Sequence, residues 1–337
     1  LTGLREVRPD VLAWGVIVCR GTLKRLDRAF AAFYRRCRTG ETPGFPRFKG
    51  KHRWDSVQWE DTAGWKISDA GRLYLQGVGH VKVNLHRPLR GVPKAITVKR
   101  EGRRWYVSIR CVDVPAQPLP TTGRAVGVDR GITALVATSD GELIANERFG
   151  QRAAKRLAKA QQDLARKKRG GGRRRRAVER VARCHRQAQR QRADFAHKLS
   201  RLLVNDHDVI VLEDLKVANM VRRPKPRPNN EGGFDPNGAA AKAGLNRSIQ
   251  DAGWASLAQM ILYKAEDAGR DVILVPAAYT SQTCHQCGHV AAGNRHEQQF
   301  RCTSCGHADH ADVNAARNIL RAGLALRDAS AEREAQG

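Results

Sequence analysis

Two Cys-x2-Cys pairs, Cys284/Cys287 and Cys302/Cys305, lie fourteen residues apart in TSQTCHQCGHVAAGNRHEQQFRCTSCGHADHADVNAARNIL, residues 280–320. That spacing suits a four-thiolate zinc ribbon, in which each pair pinches a short turn around one tetrahedral Zn²⁺. Gly288 and Gly306, directly after each pair, permit the tight backbone such turns need. Four thiolates leave no open coordination position, so this metal is predicted to be structural and the chemistry must sit elsewhere. His285, inside the first pair, is expected to point outward. The stretch ends as a predicted helix with an acid, Asp312, in its first turn.

The 337 residues carry 61 Lys and Arg against 33 Asp and Glu, a formal net charge of +28. An excess this large repels itself unless a polyanion neutralises it, which points to nucleic acid. A membrane surface fits less well, because no amphipathic Trp/Leu face accompanies the charge. There is no run of eighteen apolar residues and no signal-peptide pattern, so the protein is expected to be soluble and, in a bacterium, cytoplasmic, with its positive charge adding nucleoid association. The length allows two domains. Cys19, Cys37, Cys111 and Cys184 are scattered and are expected to be reduced, partly buried thiols. The chain opens at Leu1 in what reads as mid-helix, as a fragment or trimmed chain would.

Residues 1–39 read as helices with a turn between them, Leu23, Leu26, Phe30 and Phe33 recurring at helical spacing. A Pro/Gly-rich basic connector, GETPGFPRFKGK, follows from Gly40. Alternating segments around Val57–Trp59, Trp65–Ile67, Leu73–Leu75, Val81–Val83, Ile96–Val98 and Trp105–Cys111 then read as strands. Turn signals such as Asp69-Ala70-Gly71 separate them, and a small antiparallel barrel is predicted. Trp54, Trp59, Trp65, Trp105 and Tyr106 are candidates to stack on bases or to fill this barrel. PAQPLPTTG, residues 115–123, reads as a linker.

Next come three predicted strands, 125–129, 132–138 and 142–148, with Ser139-Asp140-Gly141 as a hairpin turn. Residues 151–201 carry nineteen Lys/Arg against three acids, and Gly170-Gly171-Gly172 divides them into a predicted helical hairpin. Leu157, Leu164, Val178 and Val181 would form its thin apolar seam; Phe195, Leu199, Leu202 and Leu203 would face the sheet. Its charge suits phosphate contact. Candidate nucleic-acid contacts are Lys167, Lys168, Arg173, Arg174, Arg175 and Arg176, with Arg247 further on. The strand around Val209–Leu212 ends in Glu213 and Asp214. After it come a Pro/Gly/Asn-rich loop (222–238), a helix over 248–268 capped by Gly269, a strand over 271–276, the ribbon, and the final helix with Val313, Ala316, Ile319 and Leu320 facing inward.

Strand-strand-strand, helices, strand, helix, strand, helix is the element order of an α/β, ribonuclease-H-like domain. It puts Asp129 at the end of the first strand, Glu213 at the end of the fourth and Asp312 on the last helix. Carboxylates there suit Mg²⁺, a hard cation that prefers oxygen, and a two-metal site can activate water and clamp a scissile phosphate. Each acid has a competing reading. Asp129 could be a turn residue, Glu213 competes with Asp214, and Asp312 with Asp309, which suits a helix N-cap.

VGVDRGI, VIVLEDL, NRSIQDAGW, YTSQTCHQCG and HADVNAARNIL together resemble TnpB, the OrfB-type transposon-encoded family, and more distantly the type V CRISPR effectors. The resemblance spans about residues 1–325. It implies a helical recognition region over 1–45, lacking a further N-terminal segment usual in relatives, and a wedge-like β-barrel over 46–120. A RuvC-like nuclease domain over 121–337 would follow, with the basic hairpin 151–203 and zinc ribbon 280–307 inserted. Implied partners are a guide RNA from the transposon end and double-stranded target DNA. Implied cofactors are two Mg²⁺, with Mn²⁺ as a substitute, held by Asp129, Glu213 and Asp312, and a structural Zn²⁺ held by the four cysteines. Sequence reading delegated to a guide agrees with a basic chain lacking a helix-turn-helix signature. The leading expectation is an RNA-guided DNA endonuclease. An RNA-guided repressor that binds without cutting and a strand-transferring transposase are the alternatives.

Overall fold

The computed structural model describes residues 2–8, 10–11, 15–50, 53–68, 71–230 and 232–335. Leu1, Lys51 of the connector, Asp69 and Ala70 of the expected turn, and Glu231 of the long loop lie outside them. The chain divides into two compact units, Leu1–Pro115 and Ala116–Gly337.

In the first unit the helix Val16–Arg38 is buried only at Ile17 and Gly21, where it meets the strand Ser56–Trp59. A Cβ on Gly21 would lie 2.8 Å from the Gln58 carbonyl, so a larger side chain would push the helix away. Leu23 and Leu26 of the predicted apolar face are exposed, whereas Phe30 and Phe33 pack edge-on to Phe45 of the connector. The six strands pair as two three-stranded antiparallel sheets: Ser56–Trp59, Val92–Glu101 and Arg104–Val112, and Trp65–Ile67, Arg72–Leu75 and Gly79–Lys82. Among the described residues no ladder joins the two, but they share one core of Ile17, Trp59, Trp65, Leu73, Leu75 and Ile96. Trp59 and Trp65 are therefore core residues and leave the stacking candidates. Trp54, Trp105 and Tyr106 stay exposed, and Arg25 and Lys49 lie over the Trp54 ring.

The second unit is built on β1 (Ala125–Asp129), β2 (Ala134–Thr138), β3 (Leu143–Ala145), β4 (Val209–Glu213) and β5 (Asp271–Val275). The sheet order is β5-β4-β1-β2-β3, with β1, β2 and β3 an antiparallel meander and β4 parallel to both β1 and β5. Strand residues alternate between faces. Val126, Val128, Ile210 and Leu212 bury against helices α2 (Gly172–Asp206) and α4 (Trp254–Ala268). Ala125, Val209 and Val211 face the other way, onto Ile319 and Leu320 of α5 (Ala311–Ala335). Both faces are covered, which is why these strands read as unbroken apolar runs.

The basic hairpin pairs α1 (Phe149–Ala165) with α2. Its seam is made of Ala153, Ala160, Ala177, Cys184 and Ala188, while Val178 is exposed, because small side chains let two helices lie close. Leu202 likewise turns outward, whereas Leu199 and Leu203 reach the core. The helix expected over 248–268 is two, α3 (Ala239–Ala252) and α4, broken at Gly253 with φ +70°. The long loop carries a two-residue ladder, Arg227–Pro228 against Phe234–Asp235.

Candidate functional site

Parallel pairing of Leu212 with Val128 sets Glu213 and Asp129 level at the carboxyl ends of neighbouring strands. By alternation both belong to the α5 face. Helix α5 reaches that face closely because Gly127 has no side chain: a Cβ there would lie 2.1 Å from the Ala316 carbonyl oxygen. Gly323 serves the same approach from the helix side, with a Cβ that would meet Val211 at 2.4 Å. The descent of α5 brings Asp312 Oδ2 within 3.8 Å of a Cβ position at Gly131. Burial first, then the charges of Glu213 and Asp312, pushes the Asp129 carboxyl up to about 7. Burial also raises Glu213, against a hydrogen bond from Thr280 and the charge of Arg130. Three acids remote in sequence thus share one electrostatic pocket.

Competition among the acids resolves by direction. Glu213 is buried, whereas Asp214 is exposed and paired with Lys216 at 2.5 Å. Asp312 is buried at 6% exposure; Asp309 instead lies on the strand Ala308–His310 and pairs with Arg317 at 2.5 Å. Asp309 is not the helix cap expected of it. The Asp312 N–H is taken by His310 Nδ1 at 3.2 Å.

Three neighbours have partners that only the folded chain brings into reach. Arg130, 6% exposed, donates to the main-chain oxygens of Glu213 and, at 3.4 Å, Trp254. Arg295, on the ribbon, holds Asp312 Oδ1 at 2.7 Å. Thr280 Oγ1 donates to Glu213 Oε1 at 2.7 Å. Two clusters of described His, Cys, Asp or Glu have ligand atoms all within 4.8 Å of one another, the four cysteines and His285/His307/Asp309; the three acids are not such a cluster. Like charges resist closer approach, and Arg295 draws Asp312 to one side.

The cysteines form two matching turns. Gly288 N–H donates to Cys284 O and Gly306 N–H to Cys302 O, with φ of +78° and +74° at the glycines. Cys284 and Cys305 sulfurs lie 3.8 Å apart, Cys287 and Cys302 sulfurs 3.6 Å. The backbone N–H of Cys305, then that of Ser304, hold the Cys302 thiol below its ordinary value, whereas hydrogen bonding with Cys287 and burial push the Cys305 thiol up. His285 does not point outward: its ring sits 3.3 Å from Asn314 Oδ1 and edge-on to His307.

The predicted phosphate contacts divide. Lys168, Arg173, Arg175, Arg176 and Arg247 are exposed. Arg174 instead donates to the carbonyls of Leu164 and Lys167, both at 3.0 Å, closing the end of α1, and Lys167 pairs with Asp163 at 2.9 Å. Helix-end carbonyls need donors, and these two side chains are spent locally.

Residues 254–319 match the family described as Cas12f1-like, TNB domain, and residues 108–223 the OrfB_IS605 family, "Probable transposase". "Putative RNA-guided DNA endonuclease InsQ" of Escherichia coli (strain K12) is 36% identical over 307 residues, 90% of this chain and 74% of the relative. The chain belongs to the TnpB (OrfB-type) family. A "Putative RNA-guided DNA endonuclease" of Streptomyces pristinaespiralis is also 36% identical, over 90% of this chain and 70% of its own length. A solved Cas12f1-sgRNA-target DNA complex overlays 90% of this chain and 78% of its own at 15% identity and a TM-score of 0.40. Among the described residues no helix is long and apolar enough to cross a membrane.

Proposed function

We propose that this chain is an RNA-guided DNA endonuclease of an insertion sequence, cutting through a RuvC-type acid triad of Asp129, Glu213 and Asp312. The observation that carries the reading is the level pairing of Asp129 and Glu213 at adjacent strand ends beneath the Asp312 helix, with burial and then the charges of Glu213 and Asp312 raising Asp129 to about 7. Relatives named as RNA-guided DNA endonucleases over most of the chain support it.

Desolvated, mutually repelling carboxylate oxygens are the donor set a hard divalent cation satisfies, so Asp129, Glu213 and Asp312 would hold Mg²⁺, with Mn²⁺ as a substitute. When bound, such ions supply Lewis-acid activation of water and of the scissile phosphate. The chain's own residues prepare that pocket. Thr280 fixes one Glu213 oxygen and leaves the other free. Arg130 anchors the strand end through its main-chain bond to Glu213. Arg295 brings a cation to the pocket rim, where a phosphate would compete with Asp312 for it. The four cysteines, with sulfurs gathered and N–H groups aimed at them, fit a structural Zn²⁺.

On this reading, residues 1–45 are a helical recognition segment, 46–120 a wedge-like barrel and 121–337 a RuvC-like domain carrying the basic hairpin 151–203 and the ribbon 280–307. The partners are a guide RNA from the transposon end and double-stranded DNA, bound in the bacterial cytoplasm. Exposed Lys168, Arg173, Arg175, Arg176 and Arg247 contact phosphates. Incubating protein, co-purified RNA, matching plasmid and Mg²⁺ tests the reading. Cutting by the wild type and none by Asp129→Ala, at similar nucleic-acid affinity, is expected. Protection without cutting would favour a repressor, joined products a transposase, and equal cutting by the variant would remove the triad.

A further inference from the structure

Beside the cysteines lies a donor set used by neither the thiolates nor the acids. Ligand atoms of His285, His307 and Asp309 all lie within 4.8 Å of one another. The two imidazoles meet edge to face, centroids 4.5 Å apart. His307 Nε2 faces Asp309 Oδ2 at 3.8 Å, too far for a hydrogen bond. That nitrogen is sealed from solvent and has no hydrogen-bond partner among the described residues. Leaving a buried polar atom unmet costs about 1–3 kcal/mol, so the position favours a further bonding partner.

We propose that His285, His307 and Asp309 form a second metal site for a borderline divalent cation of the Zn²⁺ class. Two imidazoles and one carboxylate are the donors such ions prefer, whereas Mg²⁺ and Ca²⁺ favour oxygen alone. Bonds of about 2.1 Å in a tetrahedron set donors about 3.4 Å apart, so the three close inward by roughly 1.4 Å at most. His285 sits in the first knuckle, His307 just after the second, and Asp309 on the strand leading into α5. A cation here clasps the knuckles to each other and to that strand. Arg317 already holds Asp309 Oδ2 at 2.5 Å, and His310 N–H donates to Oδ1 at 2.8 Å. An incoming cation competes with Arg317, so binding is weaker than at the thiolates and exchangeable. The site requires only a folded ribbon, not the nuclease reading.

The test uses the full chain carrying one equivalent of Zn²⁺ at the thiolates, in excess Mg²⁺ to occupy the acid pocket, titrated with Co²⁺. One further equivalent should bind with weak d–d absorption and no thiolate-to-cobalt charge-transfer bands. His307→Gln and Asp309→Asn should each weaken that step at least tenfold, and His289→Gln, an exposed histidine outside the cluster, should leave it unchanged. A wild type that takes up no second equivalent, or takes it only with thiolate bands, overturns the site without any variant. So does full-affinity binding by His307→Gln or Asp309→Asn.

Discussion

Thr280 and Glu213, 67 residues apart, meet through a 2.7 Å hydrogen bond in which the threonine hydroxyl donates to Oε1. The Thr280 carbonyl in turn accepts from Asn318 Nδ2 at 3.0 Å. One residue, through its hydroxyl and its main-chain carbonyl, therefore ties β4, the entry to the ribbon and α5 together at the acid pocket. Thr280→Val keeps the shape and removes the donor. It should cost about 1 kcal/mol of stability and let Glu213 rise further, since this bond, with the charge of Arg130, opposes the rise that burial causes. Half-maximal cutting should then need several-fold more Mg²⁺; an unchanged Mg²⁺ titration would contradict the role.

Asp129 gives a pH signature in metal-free protein. Its folded value of about 7 lies above the ordinary carboxylate value. Between roughly pH 4 and 7 the native state holds a proton that the unfolded chain has lost, so stability falls as pH rises through that window and levels off above it. Asp129→Asn removes the titrating group. In chelator it should stabilise the protein by about 2–4 kcal/mol at pH 8 and by little at pH 4, read from denaturant melts. A mutant less stable than wild type at pH 8 would refute the raised Asp129 carboxyl.

Gly127→Ala places a methyl 2.1 Å from the Ala316 carbonyl and 2.7 Å from the Leu320 nitrogen. Neither backbone atom can move without shifting α5. We expect a loss of about 3 kcal/mol or more and a fall in cutting beyond that of stability-matched variants, because Asp312 rides on the helix. A melting temperature within 2 °C of wild type, about ΔΔG of 1 kcal/mol or less, would show the approach to be looser.

Arg174 and Arg175 should separate. Arg174→Ala removes the donor to Leu164 and Lys167 carbonyls and should lower hairpin stability by about 1 kcal/mol. Arg175→Ala should leave stability unchanged and reduce the slope of log affinity against log salt by about 0.7–0.9. Filter binding over a salt series with thermal melts distinguishes them, and the opposite pattern would reverse the assignment.

Cys302→Ser should abolish the thiolate-bound zinc equivalent, seen as loss of thiolate-to-cobalt bands on Co²⁺ substitution, and loosen the ribbon that positions Arg295 and Thr280. Unaltered bands would contradict the cysteine assignment.

Residues interacting over a few positions were readable from the chain itself. The Cys-x2-Cys knuckles, the Ser139-Gly141 hairpin turn and the Gly269 cap follow from local backbone geometry and appear where expected, as do the strands, though the one expected over 132–138 begins at Ala134 and the one over 142–148 spans only Leu143–Ala145. The three acids could be nominated because strand order is a sequence-level pattern. Direction was different. Nothing local decides that Glu213 turns in and Asp214 out, that Asp309 turns to Arg317 rather than capping a helix, or that Arg174 closes α1 instead of meeting phosphate. Trp59 and Trp65 look like Trp105 in sequence but are core because two sheets share one interior. These outcomes depend on which groups the packed chain brings within reach and on the cost of leaving a buried charge or carbonyl unmet. Gly127 and Gly323 are the sharpest case: plain gaps in a strand and a helix, they allow α5 to lie close enough for Asp312 to join two acids nearly a hundred or more residues upstream.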